Sequence, residues 1–131
     1  MPRILVAATP SSFILLRRLL DQYATLVPVF SFAEALQSLP TGINLVICTA
    51  HFDESHVFEL LRVVKINYPG IPLLCARISD IPVRGVAIEA IALAAGRQNF
   101  RFFDWQAIAR VHGEEVADAE LRSQVLLLAG F

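Results

Sequence analysis

Three short runs in this chain are apolar at nearly every position: Arg3 to Ala8, Ile43 to Cys48 and Ile71 to Ala76. Successive side chains of a strand point to opposite faces, so a strand with one wet face alternates apolar and polar residues. Runs without that alternation predict strands covered on both faces, as in a parallel sheet held between helices. The segments between the runs have helical spacing instead, as in Phe13, Leu16, Leu20 and Tyr23. Strands alternating with helices connect by crossovers and pair in parallel, which predicts a three-layer α/β/α sandwich.

Local signals place the boundaries. Pro10 and Ser11 open the first helix, because proline is tolerated in a first turn and serine can accept an orphan N–H. A second strand, Leu26 to Phe30, contains Pro28, which cannot donate to a ladder and so assigns this strand to an edge. Ser31-Phe32-Ala33-Glu34 has the form of a capping box, and Pro40-Thr41-Gly42 ends the short helix it starts. After the strand closing at Thr49 comes a polar loop, Ala50 to Ser55, then a helix from about His56 to the stop signal Asn67-Tyr68-Pro69-Gly70. Ser79-Asp80-Ile81-Pro82 begins a further helix that Gly96 closes, and Phe100 to Phe103 forms a fifth strand. The segment 104–116 reads as a loop with one helical turn around Trp105–Val111, and the last helix begins at Asp118.

With 131 residues and no internal repeat or linker, the whole of 1–131 is expected to be one domain. The net charge of −1 comes with basic residues scattered along the chain. A nucleic-acid partner calls for a clustered basic face, so none is expected. Glu89, Arg122 and Gln124 break the longest apolar runs, keeping each below the ~18 residues of a membrane span. Met1-Pro2-Arg3 leads straight into a strand, which predicts no signal peptide and a cytoplasmic location. The apolar fraction, 56%, beside only 18% charged residues, fits either the doubly covered sheet or an apolar surface for a partner.

Several motifs fall in order at matching spacing with those of one family. Val57-Phe58-Glu59-Leu60-Leu61-Arg62 is similar to the Gly-Leu-Glu-Leu-Leu-Arg opening of the third helix in bacterial response-regulator receiver domains. Tyr68-Pro69-Gly70-Ile71-Pro72-Leu73-Leu74 resembles their Tyr-Pro-Asp-Ile-Pro-Val-Ile entry into the fourth strand, and Ala90 to Gly96 resembles the end of their fourth helix. The resemblance is ungapped across 43–77 and covers about 2–104, with 105–117 looking like an insertion before the last helix. It implies a (βα)5, flavodoxin-like sheet of order 2-1-3-4-5.

The resemblance also indicates where the family keeps its chemistry. Its paired Mg²⁺-binding acids correspond to Ala8 and Thr9, and its phosphoacceptor aspartate to Thr49. The serine or threonine that senses the phosphoryl group corresponds to Arg77, and the lysine ending the fifth strand to Phe103, followed by Asp104 in place of proline. All five chemical positions differ. Mg²⁺ takes oxygen ligands with one or two carboxylates, so no Mg²⁺ and no other cofactor is expected. A threonine hydroxyl without a base is a poor nucleophile, and a phenylalanine cannot neutralise phosphoryl charge. What the resemblance implies is therefore a pseudo-receiver: a non-enzymatic signalling module working through protein contacts. The alternative is a sensor binding a small ligand or anion at the carboxyl ends of the strands, with Thr49 and Arg77 facing it.

Other candidates are weighed against plainer readings. Arg77 either binds an anion or pairs with Asp53, Glu54 or Asp80 across the altered site. His51, Asp53 and His56 put two imidazoles and a carboxylate in one loop and could ligate a transition metal, yet lack the two-anchor spacing of zinc sites; Asp53 or Ser55 capping the next helix is the plainer expectation. Trp105, expected to lie partly exposed, and Leu126 and Leu127, off the apolar stripe of Leu121, Val125 and Leu128, suggest a partner or homodimer face. By analogy with receivers that face combines the fourth helix, fifth strand and last helix; the plainer reading is that 105–117 folds back over it. The resemblance pairs Thr49 with position 77, which would put Cys75 on Thr49's face and Cys48 on the opposite one, so no disulfide is expected.

Overall fold

The computed structural model describes residues 1–53, 56–79 and 99–130. Five strands, β1 (Arg3–Ala7), β2 (Thr25–Val29), β3 (Leu45–Thr49), β4 (Leu73–Arg77) and β5 (Phe100–Asp104), form one sheet in the order β2-β1-β3-β4-β5. Every adjacent pair is parallel. Among the described residues there are five helices, α1 (Pro10–Leu20), α2 (Phe32–Ser38), α3 (Val57–Asn67), α4 (Trp105–His112) and α5 (Glu114–Leu128). The helix expected between Ser79 and Gly96 lies, from residue 80 onward, outside the described residues, as do Glu54, Ser55 and Phe131.

The apolar runs do what their lack of alternation demands. Ile4, Val6, Leu45, Ile47, Leu74 and Ala76 turn to one face, where they meet Leu16, Leu19 and Leu20 of α1 and Leu121 and Val125 of α5. Leu5, Ala7, Val46, Cys48, Leu73 and Cys75 turn to the other, against Ala35 of α2 and Leu60, Leu61 and Val64 of α3. All five residues of β3 are buried, as the middle strand of a covered sheet must be. Pro28 sits on β2, an edge strand paired only with β1, where its missing N–H costs no ladder bond on the open side.

Helix ends follow the sequence signals with instructive differences. The Ser31 hydroxyl accepts from the Glu34 N–H (3.2 Å), while the Glu34 carboxylate accepts from the Phe30 N–H (3.2 Å) and the Ser31 hydroxyl (3.1 Å). The capping box is real, though Glu34 reaches one residue beyond the cap. α1 is capped by Thr9, not Ser11, with Pro10 in the first turn.

The segment expected to be mostly loop is a two-turn helix, α4, and α5 begins four residues before Asp118. Both differences trace to Asp104 and Gly113. The Asp104 carboxylate accepts from the Ala107 N–H at 2.9 Å and starts α4 directly from the end of β5. Gly113 then takes φ +93, a conformation that favours glycine, and redirects the chain so that α5 restarts at once. Glu114 and Glu115 in the first turn suit the positive end of its dipole.

Candidate functional site

In a parallel α/β sheet, the carboxyl ends of the strands and the loops leaving them form the edge where ligands bind. Here that edge contains Ala8 and Thr9 after β1, Thr49 at the end of β3, Arg77 at the end of β4, and Phe103 and Asp104 at the end of β5. Ala8 is buried, and its N–H donates to the Val29 carbonyl. Thr9 is committed to α1: its hydroxyl donates to Ser12 Oγ (3.1 Å) and accepts from the Ser12 N–H (3.4 Å). Neither residue offers a carboxylate, and the Thr9 hydroxyl already serves as the helix cap.

Thr49 is 2% exposed, and among the described residues no group hydrogen-bonds its Oγ1. Its register partner is Ala76, and the Ala50 N–H donates to the Ala76 carbonyl at 2.8 Å. One step past the Ala7–Cys48 pair on the opposite flank lies Ala8. The threonine therefore ends the central strand between two alanines. A buried hydroxyl left unpaired costs about 1–3 kcal/mol, so its lack of a partner is a feature of the site.

The observed register corrects the expectation that Thr49 pairs with position 77. Thr49 pairs with Ala76, one residue earlier, and a shift of one residue exchanges the faces of every side chain. Arg77 consequently alternates with Ala76 and shares the parity of Cys75, away from Thr49. Its Nη1 lies 3.1 Å from Asp104 Oδ1, directly across the β4–β5 ladder. Asp104 stands where the family has proline, and it holds Arg77 and the first turn of α4 with the same oxygen. The anticipated partners of Arg77 were Asp53, Glu54 and Asp80; Glu54 and Asp80 lie outside the described residues. Phe103 is buried on the α1 side of the sheet, in the same cluster as Ala8 and Ala76.

The register also overturns the placement of the cysteines. Cys48 and Cys75 are direct register partners in the same buried cluster, both as free thiols. Burial pushes the Cys75 thiol up to about 12; burial, and then the neighbouring Cys75, raise the Cys48 thiol well above its ordinary value.

The loop after β3 is tied down differently from expectation. Asp53 takes φ +41 and turns its carboxylate to α2, accepting from the Phe32 N–H at 2.8 Å. It thus serves α2, whereas α3 starts at His56 without a side-chain cap. The His56 ring stacks on Phe32 (5.5 Å between centroids), with Nδ1 3.0 Å from the Asp53 carbonyl oxygen and 3.5 Å from its carboxylate. Asp53 and His56 are brought together, but among the described residues no group of three His, Cys, Asp or Glu is placed to hold a metal ion.

On the opposite side of the sheet, Trp105 is 5% exposed rather than partly exposed. Its indole N–H donates to Asp118 Oδ1 at 2.9 Å, and Asp118 Oδ2 pairs with Arg18 of α1 at 3.1 Å. An indole that finds an acceptor can be buried whole, which removes Trp105 from any exposed face. The sequence reading missed Asp118 as that acceptor; its signal was the pairing of a buried indole with an acid 13 residues on. Leu126 is half-buried and Leu127 is 59% exposed. Arg101 of β5 donates to Gln124 of α5 (3.4 Å), which ties the two elements together at the surface; Phe102, the next residue along β5, alternates to the α3 face beside Cys75 and is exposed there.

Comparison with protein-family models and with curated proteins finds no match. Solved structures do match. A response-regulator receiver-domain protein from Clostridium thermocellum aligns with a TM-score of 0.64 at 17% identity, over 98% of this chain and 99% of that one. A response regulator from Thermotoga maritima aligns at 0.66 and 13% identity, over 100% and 99%. The signal receiver domain of an HD-domain protein from Pseudomonas fluorescens Pf-5 aligns at 0.57 and 21% identity, over 92% and 91%. The chain therefore has the fold of response-regulator receiver domains from end to end. At these identities the likeness is one of fold.

Proposed function

We propose that this chain is a non-enzymatic signalling module, a pseudo-receiver that acts through protein contacts and without phosphorylation. The observation that carries the proposal is the state of Thr49: it ends the central strand as a buried hydroxyl between alanines, with no carboxylate hydrogen-bonded to it among the described residues. Phosphoryl transfer relies on positioned charge, from metal ions and cationic groups, around the transferred group. At the corresponding positions Ala8 and Phe103 are apolar, Thr9 caps a helix, and Arg77 is held by Asp104. The partner surface in this reading is the β5–α5 face, with the exposed Leu127 at its apolar centre and Leu126 beside it. Incubation with acetyl phosphate and Mg²⁺ followed by intact mass measurement tests it: the mass should not change, and a phosphoryl adduct would overturn the proposal.

One observation favours a second reading, a small-ligand sensor. The unpaired Thr49 hydroxyl is a buried polar atom at the strand edge where such ligands sit. The ion pair of Arg77 directs this alternative toward a neutral, hydrogen-bonding ligand rather than an anion. Thermal-shift screening separates the readings, since a ligand that binds the native state raises the melting temperature and an interaction module shows no such rise.

A further inference from the structure

We propose that Cys48 and Cys75 form a cross-strand dithiol that closes to a disulfide under oxidation, a modification site built into the two central strands. The two residues are register partners on β3 and β4, both turned into the cluster under α3. Neighbouring strands lie about 4.8 Å apart, inside the roughly 4.4–6.8 Å between Cα atoms that disulfides span. The chain has two cysteines, so the bridge has one possible intramolecular pairing.

Burial sets how the bridge forms. At 0% and 2% exposure neither sulfur meets an oxidant in the closed fold, and both stay protonated at neutral pH. Oxidation proceeds through local opening of the sheet, whose β4–β5 side ends in an edge strand. With a small disulfide such as oxidised glutathione, the first exposed cysteine gives up its proton and attacks one sulfur, forming a mixed disulfide and releasing one glutathione thiol. The second cysteine, likewise deprotonated, attacks the protein-bound sulfur and expels the other glutathione. Two protein thiols lose two electrons, and one small disulfide becomes two thiols that carry the two protons. The product staples β3 to β4 one residue before Thr49.

The test is a glutathione redox titration of the full chain, folded and again in denaturing urea, read by intact mass after acid quench and alkylation. In the folded chain the monomer should lose the mass of two hydrogens and both alkylation sites. The equilibrium constant should be at least about tenfold larger than in the unfolded chain, because the fold holds the thiols together. Cys48→Ala and Cys75→Ala should each yield at most a glutathione adduct. An equilibrium constant equal to or below that of the unfolded chain, or oxidation only to a covalent dimer, would overturn the proposal.

Discussion

Replacing Thr49 by valine removes one hydroxyl from the centre of the molecule while keeping its shape. The side chain is 2% exposed and its Oγ1 lacks a hydrogen-bond partner among the described residues. Burying such a hydroxyl costs about 1–3 kcal/mol, and the valine methyl in its place gains about 0.8 kcal/mol from burial. Valine is also at least as favourable as threonine in a strand. Allowing for incomplete relief, Thr49→Val should stabilise the fold by roughly 1–2 kcal/mol, or about 3–6 °C in Tm for a domain of this size. Urea unfolding followed by far-ultraviolet circular dichroism measures it, with a raised midpoint and an unchanged slope as the expected signature. Thr49→Ala must be run beside it, because losing the methyl as well leaves a cavity and should destabilise. A loss of more than about 1 kcal/mol in Thr49→Val would mean the hydroxyl is paired in solution, and the reasoning about the altered site would fail.

Other perturbations follow from the same geometry. Asp118→Ala strands the buried Trp105 indole N–H and should cost about 1–3 kcal/mol, the exposed Arg18 turning to solvent, while Asp118→Asn keeps an acceptor for the indole and should cost less; denaturant unfolding compares them. Both buried thiols stay protonated in the fold above the pH at which they ionise when unfolded, so the unfolded state releases protons first. Stability should hold below about pH 9 and then fall, by up to ~1.4 kcal/mol per pH unit for each thiol, the Cys75 part ending near pH 12; the Cys48→Ala/Cys75→Ala double variant should lose this part of the alkaline slope. Leu127→Glu, at an exposed position of α5, should leave stability within about 0.5 kcal/mol and abolish any self-association seen by sedimentation.

The parts legible in the sequence are those decided by local chemistry. Non-alternating runs can only be doubly covered strands, Pro28 can only sit at an edge, and Ser31 with Glu34 satisfies helix N–H groups whatever surrounds them. The resemblance to receiver domains implied the strand order. The errors arose where two distant segments meet. Register between β3 and β4 depends on the whole ladder, and a slip of one residue reverses the faces of Arg77 and Cys75. Trp105 appeared partly exposed because its acceptor, Asp118, lies on another helix. The segment before α5 reads as loop because nothing local to it shows that the Asp104 carboxylate starts a helix while anchoring Arg77.

The claim that the whole phosphorylation site has been replaced, and not its aspartate alone, is tested most directly by titrating beryllofluoride with Mg²⁺ against the wild-type chain and Thr49→Asp, observed through backbone amide chemical shifts. With alanine at 8, threonine 9 capping α1 and phenylalanine at 103, neither protein should hold the metal or the developing charge. The account predicts no saturable, Mg²⁺-dependent shifts in either. Such shifts around residues 8, 49 and 77 in the wild type would contradict it, and in Thr49→Asp alone would reduce the change to a single lost aspartate.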